Sequence, residues 1–273
     1  MINGYEKFEY KKDVLPDIEY NLHSHNYLCG HARGTVSDYV AEACRNHMKC
    51  IGISDHIGQP GHFNPYVKFE DFDQKYLSQF AVAERDFGDK IKICVGGEIE
   101  YTPENIGYYE KLLTKLDYLI LGQHVFRHNG KTLNSFFDGK TEDKVLSYIK
   151  QVKEGVSTGL FAILGHPDVI LSAGIVPTDN IKTAFSDLIK TVRNKGVLVE
   201  LNANGIRNNG FWYPSDMLID ACTETDAKVV ISSDCHNPEV LCDDCFRKLY
   251  AYALSRGLNI ATTEEVINVI YRK

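Results

Sequence analysis

The chain of 273 residues is 44% hydrophobic and 25% charged, the balance of a globular protein long enough to bury a sizeable core. Its net charge of −7 and pI near 5.8 argue against a broad nucleic-acid or anionic-membrane surface. No stretch reaches the roughly 18 apolar residues of a membrane span. The opening MINGYEKFEYKK has no apolar signal core, so the eight scattered cysteines are expected as reduced thiols in a cytoplasm.

The pattern along the chain is strand, loop, helix, repeated. Residues 18–22 form a short predicted strand ending at His23, and 36–49 carry helical apolar spacing behind Thr35 or Ser37 as N-cap. A second strand, 50–54, ends at Asp55-His56. A loop at 58–66 and a helix over 72–87 follow. The third strand, 92–100, carries Glu98; a helix over 103–115 leads to a strand at 118–122, ending near His124. An irregular insert is expected over 128–139. Beyond it come a helix at 142–157, a strand at 161–164 ending at His166, and a helix at 178–194. A strand at 197–201 precedes an Asn- and Gly-rich loop. A helix at 214–225, a strand at 228–232 running into Asp234-Cys235-His236, and helices at 238–255 and 263–272 close the chain. Cys242 and Cys245, the one C-x-x-C, read as incidental residues at a helix start.

About seven β/α units with strands apolar on both faces predict a parallel sheet covered by helices, α/β in class, with residues 1–273 as one domain. Polar residues sit at the C-terminal ends of six of the seven strands. In a closed (β/α) barrel that face carries the site. Seven of the ten histidines fall there: His23, His25, His31, His56, His124, His166 and His236. Glu98 stands inside an apolar run, where a carboxylate is costly unless paired or metal-bound. His23 and His25 alternate at a strand end and so point the same way. Asp55 and His56 point to opposite sides; His56 is taken as the ligand and Asp55 as a residue that orients a neighbour. With Asp234, nine candidate ligands exceed the roughly four that one ion takes. They suit two or three divalent ions, with Zn, Mn and Fe all acceptable to such donors, and hence a site for hydrolysing phosphate esters. Arg207, Arg127 and Arg33 are candidates for binding the substrate phosphate. His47 reads as a helix-end residue, and His62 and His128 as candidates for the rim of the mouth.

As an ordered set, H-S-H at His23–His25, C-G-H ending at His31, S-D-H ending at His56, G-G-E ending at Glu98, His124, G-H-P-D at Gly165–Asp168 and S-D-C-H at Ser233–His236 resemble the PHP (polymerase and histidinol phosphatase) family over nearly the whole chain. The opening H-x-H-x5-H and the length resemble its histidinol-phosphate phosphatase branch. The resemblance implies a distorted (β/α)7 barrel with its metal site at the C-terminal mouth of the strands. It implies a first ion on His23, His25, Glu98 and Asp234, a second on Glu98, His124 and His166, and a third on His31, His56 and His236. Glu98, Asp234 and His236 are the expected catalytic residues. The implied reaction is hydrolysis of a small phosphate monoester, L-histidinol phosphate, by water activated at the ions. A nucleotide or cyclic-phosphate esterase and a non-catalytic PHP module are the alternatives; intact ligand positions weigh against the latter.

Overall fold

A computed structural model describes residues 5, 8–10, 15–60, 72–208 and 213–272. Seven parallel strands form the sheet: β1 (Tyr20–Asn21), β2 (Cys50–Ile53), β3 (Lys92–Ile99), β4 (Tyr118–Leu121), β7 (Ile163–Leu164), β8 (Leu198–Asn202) and β9 (Val229–Ser232), adjacent in that order. The last strand meets the first through a parallel bridge between Ser24 and Cys235. There His25 N–H donates to Cys235 O (3.0 Å) and Asp234 N–H donates to His23 O (2.9 Å). The result is the expected seven-stranded α/β barrel. Its closing contacts lie among ligand candidates, so closing the ring also assembles the site.

Ten α-helices are described: α1 (Val36–Arg45), α2 (Ser78–Phe87), α3 (Ile106–Leu112), α4 (Ser135–Asp138), α5 (Glu142–Ser157), α6 (Asp179–Lys195), α7 (Asn204–Arg207), α8 (Asp216–Thr225), α9 (Asp244–Ser255) and α10 (Thr263–Ile270). Their starts follow local chemistry. Thr35 and Thr262 make capping boxes with Asp38 and Glu265, and Thr178, Ser215 and Asp243 cap α6, α8 and α9. Two apolar layers result. One lies between the strands and the surrounding helices; the other fills the barrel with Tyr20, Leu22, Tyr118, Ile120, Leu198 and Val230, with Val266 and Ile270 of α10 below.

The insert at 128–139 is more regular than expected. Strands β5 (Val125–His128) and β6 (Lys131–Asn134) form an antiparallel hairpin, with α4 directly after. Asn129 (φ 50°) and Gly130 (φ 74°) make its two-residue turn, since Asn-Gly accepts the positive φ that twisted hairpins need. Several helices end earlier than their apolar spacing suggests. The chain leaves α1 at His47 (φ 58°), an exposed helix-end residue as anticipated. Cys242 precedes the α9 cap and Cys245 lies within that helix; all eight cysteines are free thiols. Among the described residues no helix is long and apolar enough to cross a membrane.

Candidate metal centre

The C-terminal strand ends converge on a cavity of about 620 Å³, lined by His31, His56, Glu98, His124, His166, Asp234 and His236 together with Arg33, Phe136 and Tyr213. His23 and His25 lie beneath it, fully buried. His23 Nε2 is 3.3 Å from Glu98 Oε2 and 3.6 Å from Asp234 Oδ1; His25 Nε2 is 3.5 and 3.0 Å from the same oxygens. Neither Nε2 has a hydrogen-bond partner. Four donor atoms around a tetrahedral zinc at about 2.0–2.1 Å stand roughly 3.3–3.4 Å apart. The donor set therefore fits a divalent ion, and two buried nitrogens have no other occupation. His56 Nδ1 and His166 Nε2 each lie 2.8 Å from Glu98, on opposite oxygens, so Glu98 can serve more than one ion. His31 and His236 meet at Nε2 (3.0 Å) near the opening, close enough to share an ion with His56.

Carboxylates outside the cluster fix the inner imidazoles. Glu200 Oε1 is 2.7 Å from His23 Nδ1, Asp55 Oδ1 is 3.4 Å from His25 Nδ1, and Glu100 Oε1 is 3.3 Å from His124 Nδ1. Each pairing directs the other ring nitrogen into the cluster. His31 and His236 rest instead on backbone carbonyls, of Cys29 (3.1 Å) and Asp234 (3.2 Å). Two of the ligand candidates hold positive φ: His166 (26°) and Asp234 (47°). Such strain at the ligands persists because surrounding hydrogen bonds determine the backbone there.

Electrostatics follow from this crowding. Burial opposes a charge on Glu98, but His56, His124 and His23 hold its carboxyl well below the ordinary range; His23 and His25 do the same for Asp234. Burial also opposes a charged His23, yet Glu200, Asp234 and Glu98 raise it well above 6.5. Asp234 and Asp55, again against burial, bring His25 to about 9. Burial and the neighbouring His25 depress His56 to about 4 and His236 to about 3. Glu98, Asp234, His56 and His236 are thus in their ligating states, while His23 and His25 must release protons to bind a cation.

The PHP domain family model matches residues 20–204. The chain belongs to the PHP domain family. A Deinococcus radiodurans protein named "Probable histidinol-phosphatase" is 26% identical over 226 residues, 79% of this chain and 85% of the relative. A Schizosaccharomyces pombe protein of the same name is 24% identical over 253 residues, 79% and 80% of the two chains. The crystal structure of histidinol phosphate phosphatase from Lactococcus lactis, complexed with zinc, L-histidinol and phosphate, superposes with a TM-score of 0.69. It has 16% identity, over 89% of this chain and 95% of that one, and supports the fold.

The PHP barrel brings together all nine expected ligands. It treats the three arginines differently. Arg33 is exposed on the cavity rim, its backbone N–H donating to His236 O (2.8 Å). Arg207 also borders the cavity, and its guanidinium is held by protein groups. Nε and Nη2 donate to Asp243 (2.7 and 3.1 Å), Nη1 to Ser233 O (3.1 Å), and Nη2 also to Ser233 Oγ and Val240 O. It clamps the segment carrying Asp234 to the α9 cap. Arg127 projects away, paired with Glu104 (2.6 Å) beside a separate depression of about 220 Å³. His128 lines that depression, bonded to Ser147 Oγ (2.9 Å), and so does not border the mouth. His62 lies outside the described residues.

Glu200 and Glu100 were not singled out by sequence. Glu200 carried a signal: it interrupts the apolar run Val197–Leu201, as Glu98 interrupts its own. Phe136 and Tyr213 carried none, since aromatic residues outside a motif are common. Phe136 stacks parallel to His124 (5.9 Å), and Tyr213 sits 5.8 Å from His166.

Proposed function

We propose that this protein is a metal-dependent phosphoric monoester hydrolase acting on L-histidinol phosphate, with residues 1–273 as one PHP-type unit working in the cytoplasm. The observation that carries the reading is the convergence of His23, His25, Glu98 and Asp234 at near-tetrahedral separations, beneath a mouth of the size that small ligands occupy, about 300–1,000 Å³. The names of its curated relatives support the substrate.

Two or three divalent ions, zinc, manganese or iron, would be held as the resemblance implies: by His23, His25, Glu98 and Asp234; by Glu98, His124 and His166; and by His31, His56 and His236. When bound, they supply Lewis-acid stabilisation of the phosphoryl oxygens and lower the pKa of water. The protein's own residues do the rest. Glu98 and Asp234 remain ionised and hold the cations. Arg33, at the rim, contacts the phosphate dianion. Arg207 fixes the Asp234 segment through Ser233. Phe136 and Tyr213 wall the cavity, and Asn134, Asn208 and Asn237 offer amides to the polar leaving group.

The test is phosphate release from histidinol phosphate, nucleotides and sugar phosphates, with protein whose metal content has been measured. Preference for histidinol phosphate by at least tenfold in kcat/KM is expected. A nucleotide preference would replace the substrate. No release from any monoester by metal-replete protein would overturn the hydrolase reading.

A further inference from the structure

Glu200 does more than back one histidine. Its side chain is fully buried, and both oxygens are occupied by different parts of the site. Oε1 faces His23 Nδ1 at 2.7 Å. Oε2 accepts from the backbone N–H of His166 (2.9 Å) and from Asn202 Nδ2 (2.9 Å); Asn202 Nδ2 also reaches Asp234 Oδ2 (3.0 Å). One carboxylate therefore touches the ends of β1 and β7, and through Asn202 that of β9. His23 and Asp234 belong to the first ion's set, His166 to the second's.

We propose that Glu200 is a positioning residue that couples the first and second metal subsites. On the His23 side it holds the Nδ1 proton, so that the proton given up to a cation leaves from Nε2, the nitrogen facing Glu98 and Asp234. On the His166 side it holds the backbone of a residue at φ 26°, a conformation that L side chains rarely adopt, and so aims that ring at Glu98 (2.8 Å). Ordering one subsite orders the other, and the two inner ions bind as a linked pair. The outer set has no such support, because His31 and His236 rest on backbone carbonyls.

The arrangement gives a substitution with a distinctive outcome. Glu200→Gln preserves size and shape, but an amide has one acceptor oxygen. Two donors converge on Oε2, so the amide oxygen belongs there and its NH2 turns to His23. His23 Nδ1 must then accept, and the proton moves to Nε2, where it blocks the ligand position. Turned the other way, the NH2 opposes His166 N–H and Asn202. A carboxylate that merely fills space would be replaced well by glutamine and badly by alanine. A positioning carboxylate predicts that glutamine is at least as damaging as alanine.

The inference rests on the metal-site reading but not on the substrate. The full chain, wild type, Glu200→Gln and Glu200→Ala, would be titrated with Zn²⁺ against a chromophoric chelator, and the His23 tautomer read from imidazole ¹⁵N shifts. Wild type should fill its inner subsites in one cooperative step. Glu200→Gln should lose roughly 10–100-fold in inner affinity, lose the cooperativity and shift the His23 tautomer, with the outer ion unchanged. Glu200→Gln binding Zn²⁺ with wild-type affinity and cooperativity would overturn the proposal, whatever its activity. So would an effect confined to Glu200→Ala. Wild type that holds its ions but releases no phosphate would overturn the hydrolase reading alone.

Discussion

Within β3 the side chains facing the barrel axis run Cys94, Gly96, Glu98; within β8 they run Leu198, Glu200, Asn202. The same strands build an apolar floor and, two residues further on, a charged mouth. The floor is closely filled: Tyr118 crosses it and donates to Leu22 O (2.6 Å), and α10 closes it below. The mouth holds carboxylates and imidazoles that would be prohibitively costly apart. Each region makes room for one large group with a glycine. A Cβ on Gly96 would overlap the Tyr118 ring, and one on Gly122 would overlap Glu98 Oε1. The floor's glycine serves packing, and the mouth's serves the position of one carboxylate.

If that division is right, the deepest functional loss comes from the mouth's central carboxylate. Glu98→Gln should lower kcat/KM on the order of a thousandfold and release metal, since several kcal/mol of transition-state stabilisation depends on the ions that it holds. His31→Ala, at the exposed edge, should lose much less. Metal content and steady-state kinetics on both variants decide this; equal and mild losses would remove Glu98 from its shared role.

The glycines test the division most directly. Gly122→Ala should displace Glu98 and cut metal content and activity, approaching Glu98→Gln, with little change in metal-free melting. Gly96→Ala should overpack the floor by about 1–3 kcal/mol and lower Tm, with a larger share of metal binding kept. The reverse pattern, Gly96→Ala losing metal and Gly122→Ala losing only stability, would break the comparison.

The arginines carry the same contrast at smaller scale. Arg33→Ala should cost on the order of 1.5–3 kcal/mol, or roughly ten- to a hundredfold in kcat/KM, with Arg33→Lys recovering part. Arg207→Ala should instead lower Tm and loosen the Asp234 segment, because its hydrogen bonds go to protein. Unchanged kcat/KM in Arg33→Ala would send the search for the phosphate ligand elsewhere.

Much of this was legible in the sequence because barrel strands place function at their ends. His23, His25 and Asp234 could be placed by alternation at strand ends, a placement that further histidines repeat along the chain, and Glu98 by its apolar surroundings. The hairpin was also legible, through Asn129-Gly130, but the short strands around it alternate weakly. The pairing of Arg207 was not legible for a physical reason: its partner Asp243 lies 36 residues away in sequence, and nothing local shows that two such loops meet. Glu200 had the signal of Glu98 but lay in no motif.

The smallest expected effect is a pH dependence that separates the inner from the outer imidazoles. In the metal-free chain His25 is raised to about 9 by Asp234 and Asp55 against burial. Its unfolded value is near 6.5, so the stability it contributes is complete below about pH 6.5 and lost as pH rises through 9. His56 and His236, depressed by burial to about 4 and 3, act in the opposite direction: their contribution is present above about 6.5 and lost as pH falls toward those values. Glu98 and Asp234, held low, also lose theirs on acidification. Chelated protein should therefore melt highest at about pH 6.5, with Tm falling on both sides. Bound cations replace the inner protons, so metal-replete protein should keep its Tm from pH 7 to 9, and its affinity for Zn²⁺ should rise over that range. Melting curves with and without chelator at stepped pH measure both. A chelated chain whose Tm is flat from pH 7 to 9 would show that the inner imidazoles carry no proton there, and that the carboxylates around them serve orientation alone.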